Sequence, residues 1–152
     1  MANEYQKIFM VVYNVTIEDL AYFAGFFDGE GSVKAAVYRR QTQAGINIGN
    51  TNRAILDWIK QKFGGRIYKG SHEVKHKIWH WQYTGKKILP LLRAIEPLLK
   101  IKVGEVRLAI EMLEYIHAGG GNIPEPQYYF EWLEGKAQEI KFLKSSYKIS
   151  VN

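Results

Sequence analysis

Hydrophobic and polar positions along the chain fall into alternating helical and strand-like stretches. From about Ile17, the run Leu20, Ala21, Tyr22, Phe23, Ala24, Gly25, Phe26 and Phe27 predicts a helix apolar on every side, and so buried all round. Thr16, three residues before Asp19, supplies its N-cap, and Gly29 and Gly31 are expected to break it. Ser32 to Arg40 then alternates, with Val33, Ala35 and Val37 on one face and Lys34, Tyr38 and Arg40 on the other. Gln41 to Ala44 reads as the turn, and Gly45 to Asn50 as the returning strand. Thr51 or Asn52 caps a helix from Arg53 to Phe63 that carries Ile55, Leu56, Ile59 and Phe63 at helical spacing, and Gly64 and Gly65 stop it.

Arg66 to Lys69 and Val74 to Thr84 form a second hairpin. Helices from Lys86 to about Leu99 and from about Val103 to His117 follow. The order αββαββα predicts an α+β fold. Its core runs over about 16–118, followed by a linker over 119–126 containing Gly119, Gly120, Gly121, Pro124 and Pro126. An amphipathic helix from about Gln127 to Leu143 opens the segment 127–152, whose tail from Ser145 is ordered only if it docks. At 152 residues, the whole chain is expected to be a single domain.

Composition narrows the chemistry. With 21 Lys and Arg against 15 Asp and Glu, the net charge of +6 favours a polyanionic partner. Cysteine is absent, which excludes disulfides, zinc–thiolate sites and thiol catalysis. The apolar run Ile8 to Tyr13 is far too short for a membrane span and lacks the basic flank and cleavage site of a signal peptide. A soluble, untargeted intracellular protein with no membrane partner is expected. His72, His76 and His80 recur every four residues, but in a strand that spacing is ~13 Å, too far for two of them to share a metal ion. Glu111 and Glu114 lack a histidine at ligand spacing and read as a solvated face.

The first helix holds two anomalies. Ala21 and Gly25, with Ala24 beside them, make a flat strip suited either to tight packing inside the core or to close approach of another helix. Asp28 and Glu30 sit at the negative end of the helix dipole, so something positive should compensate. A solvated turn is one reading of these acids. Magnesium, held by one or two carboxylates together with phosphate oxygens, is the other.

The segment Phe23-Ala24-Gly25-Phe26-Phe27-Asp28-Gly29-Glu30-Gly31-Ser32 resembles the signature of the LAGLIDADG homing endonucleases. Thr84-Gly85-Lys86-Lys87, Leu91, Leu92, Ile95 and Pro97-Leu98-Leu99-Lys100-Ile101-Lys102 resemble a second part of that family, and Asn50-Thr51-Asn52-Arg53 a third. The matches run over about residues 20–115. The resemblance implies a four-stranded antiparallel saddle that sits on DNA. It also implies that Glu30, with the Gly29 carbonyl, binds a divalent metal such as Mg2+. Lys102 falls on the family's active-site lysine, and Asn50 stands where the family often has a longer Gln, orienting the attacking water. Only one motif is present, and single-motif members are homodimers. The resemblance therefore implies pairing through Ala21, Ala24 and Gly25, with Asp28 bracing the helix ends between subunits.

Lys34, Tyr38, Arg40, Gln43, Asn47, Arg66 and Tyr68 are expected on the DNA face, where a β-ribbon fits the major groove. In the fourth strand Trp79 and Trp81 are assigned to the core, leaving His80 and Gln82 toward DNA, and Arg53 is expected at a phosphate or in the active-site solvent. The implied function is site-specific, metal-dependent hydrolysis of both strands of a long pseudo-palindromic double-stranded DNA target. The alternatives are an intron RNA maturase, which would bring RNA as partner, and a non-cleaving DNA-binding regulator. A basic structural protein would leave the two acids unexplained.

Overall fold

Among the described residues, helices cover one face of a four-stranded antiparallel sheet and leave the other face open. The computed structural model describes residues 2–38, 41–70, 77–116 and 127–150, the side chains at 38, 41, 127–129 and 147–150 excepted. In chain order the elements are α1 (Glu4–Tyr13), α2 (Ile17–Glu30), β1 (Gly31–Tyr38), β2 (Gln41–Asn50), α3 (Arg53–Phe63), β3 (Arg66–Lys69), β4 (Trp79–Thr84), α4 (Leu89–Ile95), α5 (Val103–Tyr115) and α6 (Gln127–Ser150). The α+β order predicted from the sequence is present, preceded by α1.

Alternation along the strands sorts the two faces. Val33 lies opposite Ile46, and Trp81 stands between Ile48 and Ile67, all turned toward the helices. Phe23 of α2 meets Phe63 at 4.8 Å and the edge of Trp81 at 5.5 Å between ring centroids, so α2, α3 and the sheet close on one aromatic cluster. The strand order β1-β2-β4-β3 places β2 and β4 in the middle. Burying Trp81 requires a close approach at the end of α3. Gly64 and Gly65 both adopt φ +89, the Gly64 carbonyl accepts the indole N–H at 2.8 Å, and a Cβ on Gly65 would stand 2.6 Å from the same nitrogen.

Several boundaries differ from the sequence reading. Residues 41–44, expected as a turn, are strand: Gln41 pairs with Tyr38 and Ala44 with Ala35. Gly29 does not break α2, which continues through Glu30 because tertiary contacts of Phe27 and Asp28 outweigh the ~1 kcal/mol that one glycine costs a helix. The expected helix over 86–99 is three pieces, a 3-10 turn at Lys86–Ile88, α4, and a 3-10 turn at Glu96–Leu98, because Pro90 and Pro97 each begin a new piece. α5 ends at Tyr115, and α6 runs past Leu143 with Leu133, Ala137 and Ile140 buried along one stripe. β4 is described from Trp79; Arg40, His72, Val74, His76, His117 and the 119–126 linker lie outside the described residues.

Helix α1 is the element without a forecast. An Asn3–Gln6 capping box starts it, and the Gln6 amide donates to the Ala94 carbonyl at 3.0 Å, anchoring it on α4. Phe9 is its buried apolar contact with the core. Among the described residues no single helix is long and apolar enough to cross a membrane.

Candidate active site and sheet face

The end of α2 is held by its own chain. Asp28 is 8% exposed, and its carboxylate accepts the main-chain N–H groups of Lys100 at 2.8 Å, Ile101 at 3.0 Å and Lys102 at 2.8 Å. Burial alone pushes the Asp28 carboxyl up, yet those donors and the Lys102 charge outweigh it and hold the group below its ordinary value. The Lys102 ammonium donates to the Asp28 carbonyl oxygen, so a cation sits on the negative end of the helix dipole, the compensation the two acids demanded. Asp28 was expected to brace two subunits. Both of its oxygens accept bonds within one chain.

Glu30, by contrast, is exposed, and its carboxylate has no hydrogen bond or ion pair among the described residues. No group of three or more His, Asp or Glu side chains gathers into a metal cage among those residues. Glu30 and the Gly29 carbonyl are hard oxygen donors of the kind a magnesium ion takes one or two of, with water and phosphate completing its shell, so the donor set fits that ion. The β1–β2 ladder begins with Gly31 opposite Ile48, which brings the end of α2 alongside the end of β2. There the Asn50 side-chain oxygen accepts the Asn52 N–H at 2.7 Å, leaving its amide N–H2 as the free end. Asn52 caps α3, and Arg53 lies over the Trp79 ring at 4.3 Å with a loose 3.6 Å pair to Asp57.

On the open face of the sheet, Lys34, Gln43, Arg66 and Tyr68 are exposed; the side chain of Tyr38 lies outside those described. His80 and Gln82 join them, while Trp81 is buried and Trp79 packs against the core. Neighbouring side chains on this face are tied together. Arg66 donates to Gln82 at 3.0 Å, the Asn47 amide donates to the Tyr68 hydroxyl at 3.1 Å, and His80 Nδ1 meets the Asn47 oxygen at 3.2 Å. Asn47, expected as a surface reader, is only 7% exposed.

The strip on α2 is rotated from its expected position. Ala24 is 1% exposed and faces its own core, whereas Ala21, Gly25 and Gly29 are exposed, Tyr22 is half-exposed, and a Cβ on Gly25 would meet nothing within 4 Å. α2 is therefore open on one side within a single chain, rather than buried all round.

Two residues of the site escaped the sequence reading. Glu105, in the first turn of α5, is 1% exposed, and its Oε2 lacks a hydrogen-bond partner among the described residues. Burial pushes its carboxyl up, against the opposing pull of the nearby Lys144 and Lys102 charges. Lys144 of α6 donates to the Val33 carbonyl at the start of β1. Burial lowers its pKa, as do Lys34 and Lys102, with Glu105 opposing. Neither shows in a linear pattern, since an acid in a first helical turn and a lysine in a charged helix both read as solvated.

Scans of family models and of curated proteins find no match to this chain. Solved structures do match. The homing endonuclease I-CvuI, in complex with its target in the presence of calcium, superposes with a TM-score of 0.70 at 18% identity, over 83% of this chain and 82% of that one. The archaeal intron-encoded homing endonuclease I-Vdi141I, complexed with DNA, gives 0.69 at 19% identity over 84% of each chain. The LAGLIDADG meganuclease I-AabMI, bound to uncleaved DNA, gives 0.55 at 21% identity over 62% of this chain and 36% of its own. The fold is that of the LAGLIDADG homing endonucleases, as the motif resemblance implied.

Proposed function

We propose that this chain is a site-specific endonuclease that cuts both strands of a long, near-palindromic DNA duplex, working with a divalent cation as a homodimer joined through α2. The observation that carries the reading is the Lys102 ammonium on the Asp28 carbonyl, which fixes a positive charge at the end of α2 that also bears the exposed, unpaired Glu30. Glu30 and the Gly29 carbonyl would hold the cation. When bound, that ion supplies neutralising charge at a phosphate and a more acidic water. The free amide N–H2 of Asn50 can only donate, so it would hold a water by its oxygen rather than take its proton. Lys102 would face the charge that develops on the scissile phosphate. The open strip of Ala21 and Gly25 supports the dimer, and the polar side chains of the open sheet face support the DNA contact.

The test incubates the full chain with magnesium and a randomised duplex library and sequences the cut ends. One long, near-palindromic site is expected. Glu30→Gln should abolish both cuts while preserving the dimer and binding in calcium, and Lys102→Met should slow cleavage less completely. A selected duplex that is bound but never nicked would overturn the nuclease reading in favour of a DNA-binding regulator.

A further inference from the structure

The network at the centre of the open sheet face has a direction. Asn47 Nδ2 donates to the Tyr68 hydroxyl at 3.1 Å, so the Asn47 Oδ1 is the atom facing His80 Nδ1 at 3.2 Å. An amide oxygen can only accept, so His80 Nδ1 carries the proton and, in the neutral ring, Nε2 is left as an acceptor. The Tyr68 hydroxyl, already an acceptor from Asn47, has no further hydrogen-bond partner among the described residues and keeps its own O–H to donate.

Both rings are placed to use these groups. They stack 5.2 Å apart, and Tyr68 is 40% exposed. His80 lies between two glycines: a Cβ on Gly49 would stand 3.2 Å from Nδ1, and one on Gly70 would stand 3.2 Å from Nε2. A glycine at 70 therefore keeps a Cβ off the very nitrogen that Asn47 makes an acceptor.

We infer that Asn47 is a specificity-determining residue that touches no base itself but sets the polarity of the two side chains that do. Tyr68 presents a donor and His80 an acceptor, the complement of the N7 acceptor and N6 donor that adenine shows in the major groove. The inference rests on the DNA-binding reading above and deepens it by naming a base.

Two measurements on the 152-residue chain test it. Long-range 15N–1H NMR of the free protein, with His80 assigned by comparison with His80→Gln, should show the Nδ1–H tautomer. An Nε2–H tautomer would overturn the inference without involving DNA. The duplex selected from the random library is then bound in calcium, with each adenine replaced in turn by 7-deazaadenine or by purine lacking the N6 amino group. One adenine per half-site is expected at which either replacement weakens binding roughly five- to hundredfold. Asn47→Asp draws the Tyr68 proton inward, so it should lose the sensitivity to 7-deazaadenine at that position and keep the sensitivity to the missing amine. A selected duplex with no such adenine, or one whose dependence on N7 survives Asn47→Asp, would overturn this inference alone. Failure to select any duplex would overturn the DNA-binding reading itself.

Discussion

Asp28 and Lys102 hold each other twice: the Lys102 main-chain N–H reaches the Asp28 carboxylate at 2.8 Å, and the Lys102 ammonium returns to the Asp28 carbonyl oxygen. The side chain of one residue binds the backbone of the other in both directions. This arrangement fixes the lysine at the end of α2 that bears Glu30, without placing an ion pair on Glu30 itself.

The first prediction concerns acid stability. Asp28 has a lowered folded-state pKa, so its contribution is present above the ordinary carboxylate value near 4 and is lost as pH falls through the folded value. Asp28→Asn should destabilise the protein by about 2 kcal/mol at pH 7 through loss of charge-assisted hydrogen bonds, and should flatten the acid limb of its stability profile. Urea melts at pH 2 to 7 measure this. Parallel wild-type and variant profiles would show that the carboxylate is not the acid-sensitive group.

Glu105 carries the opposite sign. Its pKa is raised by burial, so its cost is absent below its ordinary value and grows as pH rises through the folded one. Glu105→Gln should match wild type at pH 4 and exceed it by about 1 kcal/mol at pH 8. A variant less stable than wild type at pH 8 would mean that the orphaned oxygen is stabilising in its charged form.

Gly25 separates folding from assembly. A Cβ there meets nothing within 4 Å among the described residues, so Gly25→Leu should leave the subunit's fold intact by circular dichroism, the ~0.5–1 kcal/mol that a glycine costs a helix being set against the lost subunit contact. Sedimentation should nevertheless find a monomer, and duplex binding should fall with it. A dimeric Gly25→Leu protein would remove α2 as the subunit contact.

Arg66 tests the sheet face. Held against Gln82 at 3.0 Å and near the Tyr68 ring, it is presented outward with little freedom. Arg66→Ala should weaken duplex binding and, if its contact is a phosphate, lower the slope of log affinity on log salt by about one unit. Gel shifts across a salt titration decide it, and unchanged affinity at every salt concentration would take Arg66 out of the interface.

The strands and the α2 cap were legible because period and capping chemistry are local. Thr16 and Asp19 exchange both bonds of a capping box at 3.1 and 3.0 Å, and Trp81 and His80 take the opposite faces that parity assigned them. What was not legible depended on three dimensions. α1 hides because Ile8, Val11 and Val12 are exposed, at 60%, 82% and 71%, which spoils the amphipathic stripe that would have announced it. Ala24 and Gly25 differ by one step of about 100° around the helix, so a run apolar on every side could not tell which faces the core. Asp28 and Glu30, two residues apart, part company only because the 100–102 backbone curls under one of them.

The bond from Lys144 to Val33 spans 111 positions of the chain. A ribosome makes β1 early and α6 late, so the first strand emerges long before the lysine that bonds it exists. Glu30 likewise precedes Lys102 by most of the core. The end of α2 gains its Lys102 bonds only after the 100–102 segment has been made, and β1 gains the bond from Lys144 later still. A chain released early therefore carries the motif helix without the assembled centre.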